Sequence, residues 1–142
     1  MSAPLSDGDY ARLLEFRDAV RRFFHWSEQL AFAHGVTPAQ HQLLLAVRGH
    51  RAGPPTIGEV ASHLLLRHHS VVGLVDRAEE AGLVERRIDP ADGRVVRLAL
   101  TPMGHRRLET LARAHLTEVE GLGSHLLPVW EALTESRAKL RT

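Results

Sequence analysis

From Asp9 to His34, Leu13, Phe16, Val20, Phe23, Ser27 and Leu30 recur at alternating spacings of three and four, which lines them along one face of a long helix. Gly35 stops that pattern. Thr37-Pro38-Ala39-Gln40 restarts it with an N-cap hydroxyl, a proline at the first helical position and a glutamine three residues after the cap, so a second helix is predicted to about Arg48. Gly49–Pro55 holds two glycines and two prolines and breaks regular structure. Thr56-Ile57-Gly58-Glu59 is a Thr-x-x-Glu capping box opening a short helix with Ile57, Val60, Ala61 and Leu64 inward. A turn near Leu65–Arg67 leads into a helix over about His68–Ala81, with Val71, Leu74, Val75 and Ala78 as its buried stripe and Gly82 closing it.

The period then changes from 3.6 to 2. Leu83–Ile88 and Arg94–Leu100 read as strands joined by the turn formers Asp89-Pro90-Ala91-Asp92-Gly93, a hairpin with an exposed tip. Thr101-Pro102 starts a further helix with Leu108, Leu111, Ala112, Leu116, Val119 and Leu122 on its apolar side. Gly121, Gly123 and Pro128 are expected to end it, and Pro128–Leu140 to form a last helix bearing Val129, Trp130 and Leu133. The predicted class is mainly α with a two-stranded β-wing: a winged helix-turn-helix flanked by N- and C-terminal dimerisation helices. Residues 1–36 would be the N-terminal arm, 37–101 the winged module and 102–142 the C-terminal arm, in one compact domain. In such an arrangement a short helix braces a second one in a major groove about 12 Å wide, while the hairpin reaches sideways to a minor groove. The terminal helices carry more apolar surface than so small a module can cover, which suits pairing with a second copy.

Composition narrows the reading. The 142 residues, 44% hydrophobic and 25% charged, fit one globular domain and exclude two unrelated catalytic ones. The longest apolar runs, Leu43–Val47 and Leu64–Leu66, fall far short of the ~18 residues that cross a bilayer. Met1–Tyr10 carries two aspartates and no apolar core, so no membrane partner is expected and a cytoplasmic location is. The absence of cysteine removes disulfides, thiol redox sensing and cysteine-ligated zinc. Net charge is only +1, yet from Arg86 to Arg107 six arginines face two aspartates, a candidate phosphate-facing segment. Aromatic residues crowd the first third of the chain and are missing from the middle, which disfavours base-stacking folds.

The runs Leu74-Val75-Asp76-Arg77-Ala78-Glu79-Glu80-Ala81-Gly82-Leu83-Val84-Glu85-Arg86, Asp89-Pro90-Ala91-Asp92-Gly93-Arg94 and Leu98-Ala99-Leu100-Thr101-Pro102-Met103-Gly104 resemble the MarR family of bacterial transcription regulators. The resemblance implies a homodimer on a pseudo-palindromic duplex DNA operator, usually a repressor, often released by a small ligand. The helix from His68 is similar to the family's recognition helix, and Arg94 to the arginine that the wing places in the minor groove, with Asp92 orienting it. Arg77 resembles a position that holds the helix against DNA or wing. The expected DNA-contacting set is Thr56, Arg67, His68, His69, Ser70, Val71, Arg77 and Arg94, with Asp92 and Arg97 supporting the wing. Val72 and Gly73 stand where many relatives carry Thr and Arg or Lys, which shifts base reading toward His68, His69, Ser70 or bridging water.

Plainer readings stand beside these. Arg94 could be a solvated turn residue, and His68-His69-Ser70 a polar helix start. Phe16, Val20, Phe23, Leu126, Val129, Trp130 and Leu133 are expected at the dimer interface. Phe24, Ser27, His41 and Leu45 are expected to line a cavity for a small aromatic or phenolic effector. No cofactor is expected. Ten histidines invite a metal, but none forms an i, i+4 helical pair; the family resemblance implies, as a lesser alternative, a zinc-responsive regulator with a site combining His41 with His105 or His115. No Gly-x-Ser-x-Gly, Gly-x-x-x-x-Gly-Lys or His-Glu-x-x-His occurs, so no enzyme is expected. The alternative to DNA binding is a winged helix used for protein–protein contact, since residues 56–100 hold six arginines against seven acidic residues.

Overall fold

A computed structural model describes residues 3–141. The order is α1 (Asp7–Ala33), α2 (Pro38–Gly49), α3 (Ile57–Leu64), α4 (His68–Glu80), β1 (Val84–Ile88), β2 (Val96–Leu100) and α5 (Pro102–Ala138), with a final 3-10 turn over Lys139–Arg141. The class is therefore mainly α with a two-stranded antiparallel wing. The chain divides into two units, one from the end segments up to Gln29 and from Arg113, the other Leu30–Ala112.

In the Leu30–Ala112 unit the local signals act where the residues put them. The Thr37 and Thr56 hydroxyls accept the Gln40 and Glu59 backbone N–H groups at 3.1 and 3.2 Å, and the Gln40 and Glu59 side chains accept the Thr37 and Thr56 N–H groups at 3.0 and 3.1 Å. Two of the orphan donors at each helix start are thus satisfied. α4 ends at Gly82, φ +75°, where the Leu83 N–H reaches the Ala78 carbonyl at 2.9 Å and the Gly82 N–H reaches that of Glu79 at 3.0 Å. Leu43, Leu44, Val60, Val71, Val75, Leu83, Val84 and Leu98 pack into one core.

The hairpin pairs Val84 with Leu100 through Ile88 with Val96. Its inner positions Val84, Leu98 and Leu100 are buried. Arg97 bridges to Thr56, and the Leu98 N–H donates to the Pro55 carbonyl at 2.8 Å, so the segment before α3 lies along the wing. The strands are shorter than their apolar alternation predicts. Asp89 and Asp92 draw the N–H groups of Ala91, Asp92 and Arg94 into side-chain bonds, which compete with ladder pairing at the tip.

In the end-segment unit, Ser6 and Asp9 form a further capping box: the Ser6 N–H donates to Asp9 Oδ2 at 2.8 Å and the Asp9 N–H to Ser6 Oγ at 3.2 Å. Buried Asp9 also accepts the Ser136 hydroxyl at 2.5 Å, tying the start of α1 to the end of α5. Phe16 and Trp130 pack with ring centroids 6.2 Å apart. The expected break near Pro128 does not occur, and α5 is one helix of 37 residues with Pro128 inside it. Neither Gly121 nor Gly123 takes the left-handed φ that would end a helix. An interior proline costs about 3 kcal/mol. The helix nevertheless continues through it, with Val129 and Ser136 buried on its C-terminal side, and helical stability in proteins comes mostly from a packed face.

Candidate nucleic-acid interface

α3, the turn and α4 form the helix-turn-helix. Leu65, left-handed at φ 54°, turns the chain while its N–H and that of Leu66 return to the Ala61 carbonyl. α4 then begins at Arg67, which makes no side-chain cap. Its first N–H groups are left to solvent or a ligand, and a helix start in that state favours an anion. His68 and His69 are exposed there and Ser70 is half-buried.

Val71 departs from the expected set. It is fully buried in the core, because it begins the inward stripe continued by Leu74, Val75 and Ala78. The outward set of this helix is narrowed to Arg67, His68, His69, Ser70 and Arg77. Arg77 is exposed, and its Nη1 lies so close to Gly73 that a β-carbon there would be 3.3 Å away. The missing side chain at Gly73 thus gives Arg77 room to fold back along the helix. Thr56 is half-buried, its hydroxyl and N–H occupied by the capping box.

The wing holds its arginines by carboxylates. Asp92 accepts Arg94 Nε at 3.1 Å, Nη2 at 3.2 Å and the Arg94 backbone N–H at 3.0 Å, while the Arg94 side chain stays 91% exposed. The guanidinium of Arg94, then its backbone N–H, keeps the Asp92 carboxyl below its usual range. At the wing root Arg97 Nε donates to Asp89 at 2.5 Å and Nη1 to the Pro54 carbonyl at 3.0 Å, with Glu59 3.6 Å away. Arg97 and the Ala91 N–H hold Asp89 low as well. Sequence reasoning missed Asp89 and Glu59 as anchors of Arg97, although an aspartate opening an Asp-Pro turn is a recognisable signal.

The arginine surplus counted from Arg86 to Arg107 is largely paired. Arg86 bridges Asp76 at 2.6 Å and Glu79 at 2.8 Å, Arg87 pairs with Glu85, and Arg107 donates to the His34 carbonyl at 2.7 Å. The exposed Arg87–Glu85 pair is of a kind worth about 0–1 kcal/mol.

Of the expected effector residues, Phe24 and Ser27 belong to the end-segment unit and His41 and Leu45 to the Leu30–Ala112 unit. Leu45 is exposed and lines a cleft of about 320 Å³ with Gln42 and His63, and neither Phe24, Ser27 nor His41 is among that cleft's lining residues. Phe24 is exposed, and His41 is buried in α2. The Ser27 hydroxyl is 2.7 Å from His115 Nε2, itself edge-on to Trp26 at 4.8 Å. Among the expected interface residues Phe16, Val20, Phe23, Leu126 and Leu133 are half-buried and Trp130 is 59% exposed, whereas Val129 is covered by its own unit and offers little to a partner. Among the described residues no helix is long and apolar enough to cross a membrane.

Residues 34–95 match the MarR family model. Over 76 residues the chain is 38% identical to the uncharacterized HTH-type transcriptional regulator YsmB of Bacillus subtilis, covering 54% of this chain and 51% of that one. Over 75 residues it is 33% identical to the HTH-type transcriptional repressor MdtR of the same organism, covering 53% and 47%. The chain thus spans about half the length of these curated relatives. The crystal structure of the MarR family transcription regulator SP03579 superposes with a TM-score of 0.74 at 22% identity, over 95% of this chain and 93% of that one. The Staphylococcus aureus MepR–DNA complex gives 0.69 at 20% identity, over 88% and 93%. Family model, relatives and fold agree: residues 34–95 carry the MarR family match, and the chain shares the winged helix-turn-helix fold of the MarR family structures.

Proposed function

We propose that this chain is a sequence-specific regulator of transcription that binds duplex DNA as a homodimer on a pseudo-palindromic operator, as a repressor and not as an enzyme. The observation that carries the reading is the pairing of an uncapped, outward-facing α4 start at Arg67, His68 and His69 with a wing tip that presents Arg94 on Asp92. The first would lie in a major groove, the second beside a minor groove, where a narrow groove's negative potential attracts a guanidinium. The relatives' names support the regulatory role, MdtR's the repressor, and the MepR complex the choice of DNA.

Dimerisation fits the end-segment unit, where Leu13, Leu14, Leu116, Leu127 and Trp130 are exposed. A patch of that kind on a helical unit marks an interaction surface. Two chains would present two copies of α4 about one helical turn of DNA apart. Release by a small aromatic effector stays part of the proposal and is supported by the family resemblance alone.

A protein-docking winged helix is the second reading, favoured by the carboxylates that neutralise Arg86, Arg87, Arg94 and Arg97. Fluorescence anisotropy on duplexes selected from a random pool separates the two. DNA binding predicts a saturable complex whose log affinity falls linearly with log salt, by about 0.9 per phosphate contacted. Absence of any saturable duplex complex at low salt would favour protein docking.

A further inference from the structure

His50 and His63 stand thirteen residues apart, outside any helical pairing, yet the turn after α2 brings His50 Nδ1 to 2.9 Å from His63 Nε2. The rings meet nearly edge to face, with centroids 5.2 Å apart at 80°. On the far side of the same ring, His50 Nε2 lies 2.7 Å from Glu59 Oε2. That carboxylate is fixed in turn, its Oε1 accepting the Thr56 N–H at 3.1 Å.

A neutral imidazole has one N–H and one lone pair. His50 Nε2 is buried and faces the Glu59 carboxylate without a well-formed hydrogen bond to it; with its proton on that nitrogen, held by the carboxylate's charge, His50 directs the lone pair of Nδ1 at His63. His63 then answers with an N–H or, in its other tautomer, with a second lone pair, and a cation between the two nitrogens satisfies both. A carboxylate behind a ligating histidine is the usual outer shell of such a site, because it sets tautomer and ring direction and raises ligand basicity.

We propose that His50 and His63 chelate a divalent transition-metal ion of the zinc, nickel and copper group, with Glu59 as the positioning residue. Imidazole donors select these ions over magnesium and calcium. Two zinc–nitrogen bonds of ~2.0–2.1 Å at a tetrahedral angle separate the nitrogens by ~3.3 Å. The observed 2.9 Å needs a shift of only ~0.4 Å, which a rotation of exposed His63 supplies. Among the described residues no group of three or more His, Cys, Asp or Glu side chains is arranged to hold a metal. The site therefore offers two protein donors, and water fills the rest. Water has access from both sides: His63 borders the cleft of about 320 Å³, and His50 borders one of about 370 Å³ with Arg48, Arg87 and His105. A bound ion would clamp the turn after α2 to α3 and, through Glu59 and Arg97, to the wing root.

Zinc titration of the untagged full chain, in competition with a chromophoric chelator, tests this. The wild-type chain is expected to take one ion at micromolar concentration, and His63→Ala, a surface change, to lose that ion. Glu59→Gln is expected to keep the stoichiometry with about tenfold weaker binding. This variant keeps its helix cap, since Gln40 serves the same box at Thr37. On the paramagnetic ion nickel, the ring resonances of His50 and His63 should broaden ahead of those of the other histidines. Equal zinc uptake by wild type and His63→Ala, or no uptake at 100-micromolar order, would overturn the proposal and leave the pair a shared hydrogen bond.

Discussion

A β-carbon placed on Gly104 would lie 2.0 Å from the carbonyl oxygen of Leu83, so the first turn of α5 runs directly against the start of the wing. Thr101 locks the same corner: its hydroxyl donates to the Gly82 carbonyl at 2.5 Å and accepts the Gly104 N–H at 3.0 Å. Backbone cannot yield as a side-chain tip can. Gly104→Ala is therefore expected to cost about 3 kcal/mol, by overpacking against a fixed carbonyl. A urea melt checks it, and an unchanged midpoint would show that the corner can open.

Leu65 is the opposite case. Its left-handed backbone costs a residue with a β-carbon about 1–2 kcal/mol, and at 91% exposure its side chain recovers little by burial. Leu65→Gly is expected to raise stability by about 0.5–1 kcal/mol, after glycine's extra unfolded-state entropy is subtracted. The same urea melt reads it, and a loss of stability would mean that the leucine packs on something in the native state.

Acid should loosen the end-segment unit. The Ser136 hydroxyl, with the backbone and side chain of Ser6, lowers Asp9 from 3.8 to about 2. A carboxylate whose folded value is depressed contributes stability above its unfolded pKa and loses it as pH falls through the folded one. The melting temperature of the wild type is therefore expected to fall between about pH 4 and pH 2 more steeply than that of Asp9→Asn. Parallel curves for the two would place the acid sensitivity elsewhere.

Much of this architecture could be read along the chain, because its signals are short-range. The Thr37 and Thr56 boxes and Gly82 each act within six residues, and the turn formers from Asp89 to Gly93 mark the hairpin directly. Pro128 misleads for the opposite reason: the helix continues through this local breaker into a segment packed by distant partners, such as Asp9 on Ser136, which no window around the proline contains. A local charge count likewise overlooks Asp76 and Glu79, which reach Arg86 from another element. His50 and His63 belong to the same class, joined only by the turn between two helices.

At the wing, Arg94→Ala is expected to weaken binding to a selected duplex by about 1–3 kcal/mol, with similar losses across sequences, since a minor-groove guanidinium reads shape and potential. Anisotropy at fixed salt gives the answer. Ser70→Ala, measured beside it, should change sequence preference without lowering thermal stability. A large fall in melting temperature with unaltered preference would make Ser70 a helix-start residue only.

Sedimentation velocity of the full chain mixed with a labelled duplex bearing its selected site tests most directly whether two copies act together on one stretch of DNA. The expected result is a single complex of two chains per duplex, formed from a dimer that already sediments as such without DNA. One chain per duplex, or a duplex that sediments alone in the presence of excess protein at low salt, would contradict it.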